Sequence, residues 1–152
     1  MSSHNSNLKS QYLATLDQVD EFLNENIVFN FKYFIYGNDV GESFEEWEGE
    51  GILADLNNKL KNFSGKTKAE LLRDGTLEIY GAYPKDSKFI KPKTLVFAGI
   101  QWARFRITGR RRLIGFFLED KVLKSTSSEN FRNVFFIVFL DKDHMFAPSG
   151  SN

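Results

Sequence analysis

Cysteine is absent from this chain of 152 residues. Disulfide bonds and thiolate metal sites are therefore excluded, and a chain without them suits a reducing cytosol. No apolar run approaches the roughly 18 residues that a membrane-spanning helix needs. The N-terminal residues are polar and lack the apolar core of a signal peptide. We expect a cytoplasmic protein with no membrane partner.

A net charge is lacking as well, because 20 basic and 20 acidic side chains cancel. The whole molecule is thus not attracted to nucleic acid, although a local basic patch can still bind phosphates. The charges are segregated along the chain. Residues 39–55 contain seven acids and no base, whereas residues 99–118 contain five arginines and no acid.

Two common signatures of catalysis are missing. Gly65-Lys66-Thr67 has no glycine five residues earlier and no preceding strand, so a P-loop is rejected. No Gly-x-Ser-x-Gly nucleophile elbow occurs. Histidine is scarce, with only His4 and His144 in the chain. Because His4 lies in a polar tail, His144 is the one credible imidazole acid or base.

Phenylalanine, by contrast, is abundant, with 16 residues in the chain. Phe and β-branched runs favour strands, so the sequence predicts a sheet-rich core. The length fits a single domain over residues 1–152. Residues 1–6 and 149–152 are predicted to be disordered.

The spacing of apolar residues predicts the order of the elements. Helices are predicted at residues 7–24, from Ile52 to Phe63, and after the capping-box pair Thr67 and Glu70. Strands are predicted at Ile27 to Tyr36, Leu77 to Tyr80 and Val134 to Leu140, and loops at residues 81–94 and 124–132. This is an α+β fold, a single antiparallel-rich sheet with helices packed on one face. The added N-terminal helix is expected to pack on the domain, with partner binding as the alternative.

Residues 99–118 have the pattern of a β-hairpin, with alternating apolar runs around Gly109-Arg110. With the turn at these two residues, one sheet face carries Trp102, Arg104, Arg106, Thr108 and Arg111. The other carries Ala103, Phe105, Ile107, Ile114 and Phe116, with Arg112 near the tip. A one-residue change in turn length would move the second strand's side chains to opposite faces. Arg104 and Arg106 stay together in either register, so we predict that they share one exposed face.

An arginine-rich sheet face and a histidine beyond the end of a buried strand suit RNA cleavage without a metal. His144 would protonate the leaving 5′-oxygen or orient the 2′-hydroxyl. Arg104, Arg106 and Arg111 would stabilise the charge that develops on the phosphorane. The alternatives are a surface histidine in a turn and a solvated arginine face.

Three further residues are assigned to nucleic-acid binding. Trp102 could stack a base or lie covered by the N-terminal helix, and Arg110 and Arg112 could contact phosphates or belong to a solvated turn. A metal site at Asp141, Asp143 and His144 is a separate alternative. Our main interpretation needs no cofactor.

The order of these pieces resembles the RelE/ParE toxin superfamily. A strand and a helical hairpin precede Arg104-Phe105-Arg106, a turn, the strand Arg111-Arg112-Leu113-Ile114-Gly115-Phe116, and a last strand that ends in Phe-Leu-Asp-Lys-Asp-His-Met-Phe. The resemblance covers roughly residues 27–147. It implies a compact toxin fold and either ribosome-associated mRNA cleavage or gyrase inhibition, with a cognate antitoxin as partner. A non-catalytic protein-interaction module on the same fold is the alternative.

The acidic segment invites one more hypothesis. Opposite charge blocks on a small domain attract each other. Residues 39–50 could therefore form a mobile flap near the arginine face, with Gly49 and Gly51 supplying flexibility. The alternative is a solvated acidic loop that never approaches the hairpin.

Overall fold

A computed structural model describes residues 2–23, 25–37, 40–96 and 98–148. The strands are β1 (Val28–Asn30), β2 (Leu77–Gly81), β3 (Ile100–Arg106), β4 (Arg112–Leu118) and β5 (Val134–Asp141). The helices are α1 (Ser2–Leu23), α2 (Phe44–Gly49), α3 (Leu53–Ser64), α4 (Lys68–Arg73) and α5 (Asp120–Ser125), with 3-10 turns at Lys93–Leu95 and Glu129–Phe131.

The strands form one mixed sheet in the order β1-β5-β4-β3-β2. β1 runs parallel to β5, and the other pairings are antiparallel. The α+β class and the antiparallel-rich sheet are therefore confirmed. β5 lies between β1 and β4 and its side chains are largely buried, as its continuous apolar run predicts.

Capping boxes begin two of the short helices. At α4 the Thr67 hydroxyl accepts from the Glu70 amide, and the Glu70 carboxylate accepts from the Thr67 amide. Ser43 and Glu46 make the same pair of bonds at the start of α2. Helix α4 was predicted from this spacing, whereas α2 was missed inside the acidic segment. The same capping spacing, from Ser43 to Glu46, is present there and marks the start of α2.

The sheet is covered on both faces. Helices α2 to α4 cover one face with Trp47, Leu56, Phe63 and Leu71, which pack on Phe105, Leu113, Phe117 and Phe135. The opposite face is covered by Phe89, Leu95, Phe146 and Ala147, which pack on Trp102, Ile114, Phe116 and Phe139. The predicted loop at 81–94 thus supplies core side chains to the face that the helices leave open.

The hairpin register differs from the prediction by one residue. Arg106 pairs with Arg112, and Phe105 pairs with Leu113. The loop is one residue longer than predicted, because the Ile107 amide donates to the Arg111 carbonyl across Thr108, Gly109 and Arg110. The second strand's side chains therefore exchange faces. Arg112, Ile114 and Phe116 lie on the side of Trp102 and Arg104, and Arg111 does not.

Two boundaries also need correction, and one further helix was not predicted. Strand β1 ends at Asn30, because the chain turns at Lys32 and Tyr33 instead of continuing to Tyr36. Helix α1 begins at Ser2 and not at residue 7, and the side chains of Tyr12, Leu13, Leu16 and Val19 are exposed instead of packed on the domain. Helix α5 was missed. Met1 and the predicted disorder at 149–152 lie outside the described residues. None of the described helices has the length and apolar character needed to cross a membrane.

We predict that Gly115→Ala destabilises the fold by about 1–3 kcal/mol through overpacking. Gly115 lies at an irregularity in the β4–β5 pairing. A Cβ atom there would collide with the Phe136 carbonyl and would lie 2.8 Å from the Phe135 ring. Thermal or urea unfolding measures the loss. Gly49→Ala is the control, because its Cβ would meet no atom within 4 Å; equal stability losses in both variants would contradict the packing argument.

Candidate functional site

An open cleft of about 630 Å³ lies where the tip of the β3–β4 hairpin meets the chain that leaves β5. It is lined by Arg106, Arg110, Arg112, Asp143, His144, Met145 and Pro148. The topology explains the convergence. Arg106 ends β3 and pairs with Arg112, and Arg112 pairs in turn with Asp141 at the end of β5. The histidine follows Asp141 by three residues and so emerges beside the arginines.

Arg112 is the central cation of the cleft. Its side chain is only 8% exposed. Nη1 donates to the carbonyls of Gly109 (2.8 Å) and Arg111 (3.0 Å), which ties the guanidinium to the hairpin loop. Nε is buried without a hydrogen-bond partner, and no carboxylate of the described residues forms an ion pair with this guanidinium. A buried charge in this condition is costly, so an anion in the cleft would stabilise it.

Arg104 lies behind the cleft and not in it. It is 2% exposed, which corrects the prediction that it shares an exposed face with Arg106. Nη1 donates to the carbonyls of Gly75 and Thr76, both at 3.0 Å, and Nη2 forms a 2.7 Å ion pair with Glu78. These bonds fix β3 to the start of β2. The charge of Arg104 still acts on the cleft by lowering the pKa of Arg112 and that of His144.

The loop that carries His144 is built around the carboxylate of Asp141. This side chain is 1% exposed, and its two oxygens accept from the amides of Met145 (2.9 Å) and Phe146 (2.8 Å). Within the loop His144 adopts a φ of +59°, a left-handed conformation that non-glycine residues seldom adopt. Such conformations persist only where surrounding bonds enforce them, and they are concentrated at functional sites.

A second carboxylate holds the same loop from outside. Glu42 Oε1 accepts from the backbone amide of Lys142 at 2.6 Å and from Trp47 Nε1 at 3.1 Å. The Lys142 side chain forms an ion pair with Glu50. The acidic segment is therefore a capped helix anchored by the buried Trp47, and the hypothesis of a mobile flap over the arginines is wrong for its described part. It supports the histidine loop from the side.

Burial shifts the pKa values of the two central titratable groups in opposite directions. It lowers the pKa of His144, and the charges of Arg112 and Arg104 lower it further, while Asp141 acts in the other direction. These effects favour the neutral form of the imidazole. Burial raises the pKa of Asp141, although the amides of Met145 and Phe146 oppose this by stabilising the carboxylate. A neutral imidazole beside cationic guanidinium groups can accept a proton from a ligand that they hold.

The structure brings together four of the seven predicted site residues, namely Arg106, Arg110, Arg112 and His144. Arg111 is separated from them, because it pairs with Ile107 and alternates with Arg112. Trp102 is 2% exposed and packs on Tyr83 at 5.0 Å and on Phe116 at 5.8 Å. It is covered by these rings, not by the N-terminal helix, and it cannot stack a base.

The alternative metal site is not formed. The described residues contain no group of three or more histidine and carboxylate side chains that could hold a metal ion. Both oxygens of Asp141 are occupied by backbone amides instead. Sequence reasoning missed Met145 and Pro148 as lining residues and Glu42 as a support. Glu42 lies 100 residues from its partner Lys142, and no local pattern marks that contact.

Comparisons with protein-family models, with curated proteins and with solved structures found no match to this chain. The family resemblance therefore rests on the short sequence patterns alone.

We predict that the pKa of His144 lies below the value of about 6.5 usual for a free histidine. Arg112→Gln removes one of the causes and should raise it, although burial should still keep it below that value. A pH titration of the imidazole NMR signals measures this, with a His144→Gln chain to assign the two histidines. Arg110→Gln is the control, since Arg110 lines the cleft but is not among the causes of the shift. A pKa of His144 above 6.5 in the unsubstituted chain would contradict the expected effect of burial.

We also predict that Glu42→Ala destabilises the fold by about 1–3 kcal/mol, because buried donors would lose their acceptor. The two donors are the Lys142 amide and Trp47 Nε1. The amide of Lys142 should in addition exchange with solvent faster. Urea unfolding and hydrogen exchange test the two effects. Glu48→Ala, at an exposed position of α2, should change neither.

Proposed function

We propose that the cleft binds the phosphate backbone of RNA and that the protein is a metal-independent endoribonuclease. The observation that carries this proposal is Arg112, which lines the cleft beside His144. It is a buried cation that forms no ion pair with a carboxylate of the described residues. Arg106 and Arg110 add positive charge at the cleft. Guanidinium groups match the geometry of phosphate oxygens and donate strong charge-assisted hydrogen bonds.

The proposed chemistry follows from the neutral imidazole. His144 takes the proton of a ribose 2′-hydroxyl, and the resulting oxygen attacks the adjacent phosphorus. The bond to the 5′-oxygen breaks, which leaves a 2′,3′-cyclic phosphate and a 5′-hydroxyl. The imidazolium formed in the first step returns the proton to the leaving oxygen. Arg106 and Arg112 stabilise the negative charge that develops on the phosphorane.

Only the family resemblance implies that the protein is a toxin. It also implies that the substrate is mRNA at the ribosome and that a cognate antitoxin protein restrains the activity. Two features of the cleft support a nucleotide ligand independently of the resemblance. Arginines line one part of it, and the exposed Met145 and Pro148 line another, so that a phosphate and an apolar base could be held side by side.

A non-catalytic interaction module, acting on a partner protein or on gyrase, is the second candidate. The observation that favours it is the exposure of apolar side chains on α1, namely Tyr12, Leu13, Leu16 and Val19. A protein-binding role needs neither His144 nor a reacting phosphate. The two candidates therefore differ in what a histidine substitution does.

We predict that the purified chain cleaves single-stranded RNA in EDTA and that Arg112→Gln lowers kcat/KM by about 100-fold or more, as loss of one oxyanion donor does. His144→Gln should lower kcat by about 100-fold or more with a small change in KM, because proton transfer contributes on that order. Mapping of the RNA ends should find 2′,3′-cyclic phosphate.

Arg111→Gln is the matched control for these variants. It removes the same charge from the neighbouring position outside the cleft and should retain most of the activity. Cleavage that requires Mg²⁺ or Mn²⁺ would overturn the proposed mechanism. RNA binding or growth arrest that persists without cleavage, and that survives His144→Gln, would favour the interaction module.

A further inference from the structure

Helix α1 exposes an apolar stripe to solvent. Leu8, Tyr12, Leu16 and Val19 recur at the spacing of one helix face. Tyr12 is 65% exposed and Leu16 is 62% exposed. A helix of this length gains most of its stability from packing its apolar face. The described residues of the same chain leave Tyr12, Leu16 and Val19 exposed.

The same chain carries an apolar groove with no cover. It has a volume of about 400 Å³ and is lined by Phe31, Phe44, Leu53, Leu56, Asn57 and Leu60. Helix α3 contributes four of these residues, and Phe44 is held by stacking on Phe34 with ring centroids 4.5 Å apart. Asn57 supplies the only polar side chain among these lining residues, which is the pattern of a groove that receives an amphipathic helix.

The stripe is long enough to span the groove, and the two carry opposite charges. At 1.5 Å per residue, α1 rises about 16 Å from Leu8 to Val19, and α3 rises about 10 Å from Leu53 to Leu60. In sequence, residues 17–25 contain four acids and no base. The second half of α3, which lines the groove with Asn57 and Leu60, carries the exposed Lys59 and Lys61 and no acid. The acidic end of α1 and the basic end of α3 attract each other.

We propose that α1 of one copy of this chain docks into the α3 groove of a second copy. Because each copy has one stripe and one groove, a two-fold axis satisfies both at once and closes the assembly as a dimer. The groove lies on the face of the sheet that α2 to α4 cover, whereas the arginine cleft lies on the side of the opposite face. The dimer therefore leaves the cleft accessible, and this proposal does not depend on the proposed catalytic function.

The absence of cysteine makes a clean crosslinking test available. Leu16→Cys and Asn57→Cys are prepared as separate single variants, mixed under reducing conditions and then mildly oxidised. Since each chain has one thiol, a disulfide can form only between copies. The proposal expects a Leu16→Cys/Asn57→Cys crosslinked dimer in high yield. Ala14→Cys replaces Leu16→Cys as the control, because Ala14 is exposed and lies off the stripe.

Light scattering on the unmodified chain is the second measurement. A dimer is expected, and Leu16→Asp should convert it to a monomer whose core unfolds at nearly the same temperature. A monomer at high micromolar concentration would overturn the proposal. So would equal crosslinking by Ala14→Cys, or a Leu16→Cys/Asn57→Cys double variant that closes only within one chain, since the helix would then cover its own groove.

Discussion

The buried carboxylate of Asp141 is the interaction on which the candidate site depends. Asp141 ends β5 opposite Arg112, and its carboxylate accepts hydrogen bonds from the amides of Met145 and Phe146. These bonds turn the chain back over the sheet. Phe146 therefore packs in the hydrophobic cluster around Trp102, while His144 lines the cleft. One carboxylate thus couples the packing of an aromatic side chain to the position of an imidazole. Without it, the loop amides would be buried without acceptors.

The two buried arginines show how one residue type serves structure and chemistry in neighbouring positions. Arg104 is balanced by Glu78 and by two carbonyl groups, so its charge is largely compensated within the fold. Arg112 holds the hairpin loop but has no carboxylate partner among the described residues. This difference explains why Arg104 supports the sheet, whereas Arg112 makes the cleft attractive to an anion. Burial lowers the pKa of the nearby His144 imidazole, and the charges of both arginines lower it further.

Sequence reasoning succeeded where the signal was local. The capping box at Thr67, the apolar spacing of α3 and the continuous run of β5 each predicted the element observed. It failed where a single residue of loop length decided the outcome, because the longer loop beyond Ile107 exchanges the faces of Arg111 and Arg112. The Glu42 contact was beyond reach for another reason, since it joins residues far apart in the chain. Burial of Trp102 follows from the loop at 82–96, whose packing no periodicity reveals.

The parallel pairing of β1 with β5 has a consequence for how the molecule is made. Strand β1 lies near the start of the described fold, yet its partner is the last strand, about a hundred residues later. Loop closure over that distance is slow, and emerging chains grow at about 5–20 residues per second. The first strand and the helices that follow it therefore lack the cover that β5 provides, such as the ring of Phe135 against Phe29, until β5 emerges. During that interval the nascent chain is at its most vulnerable to aggregation.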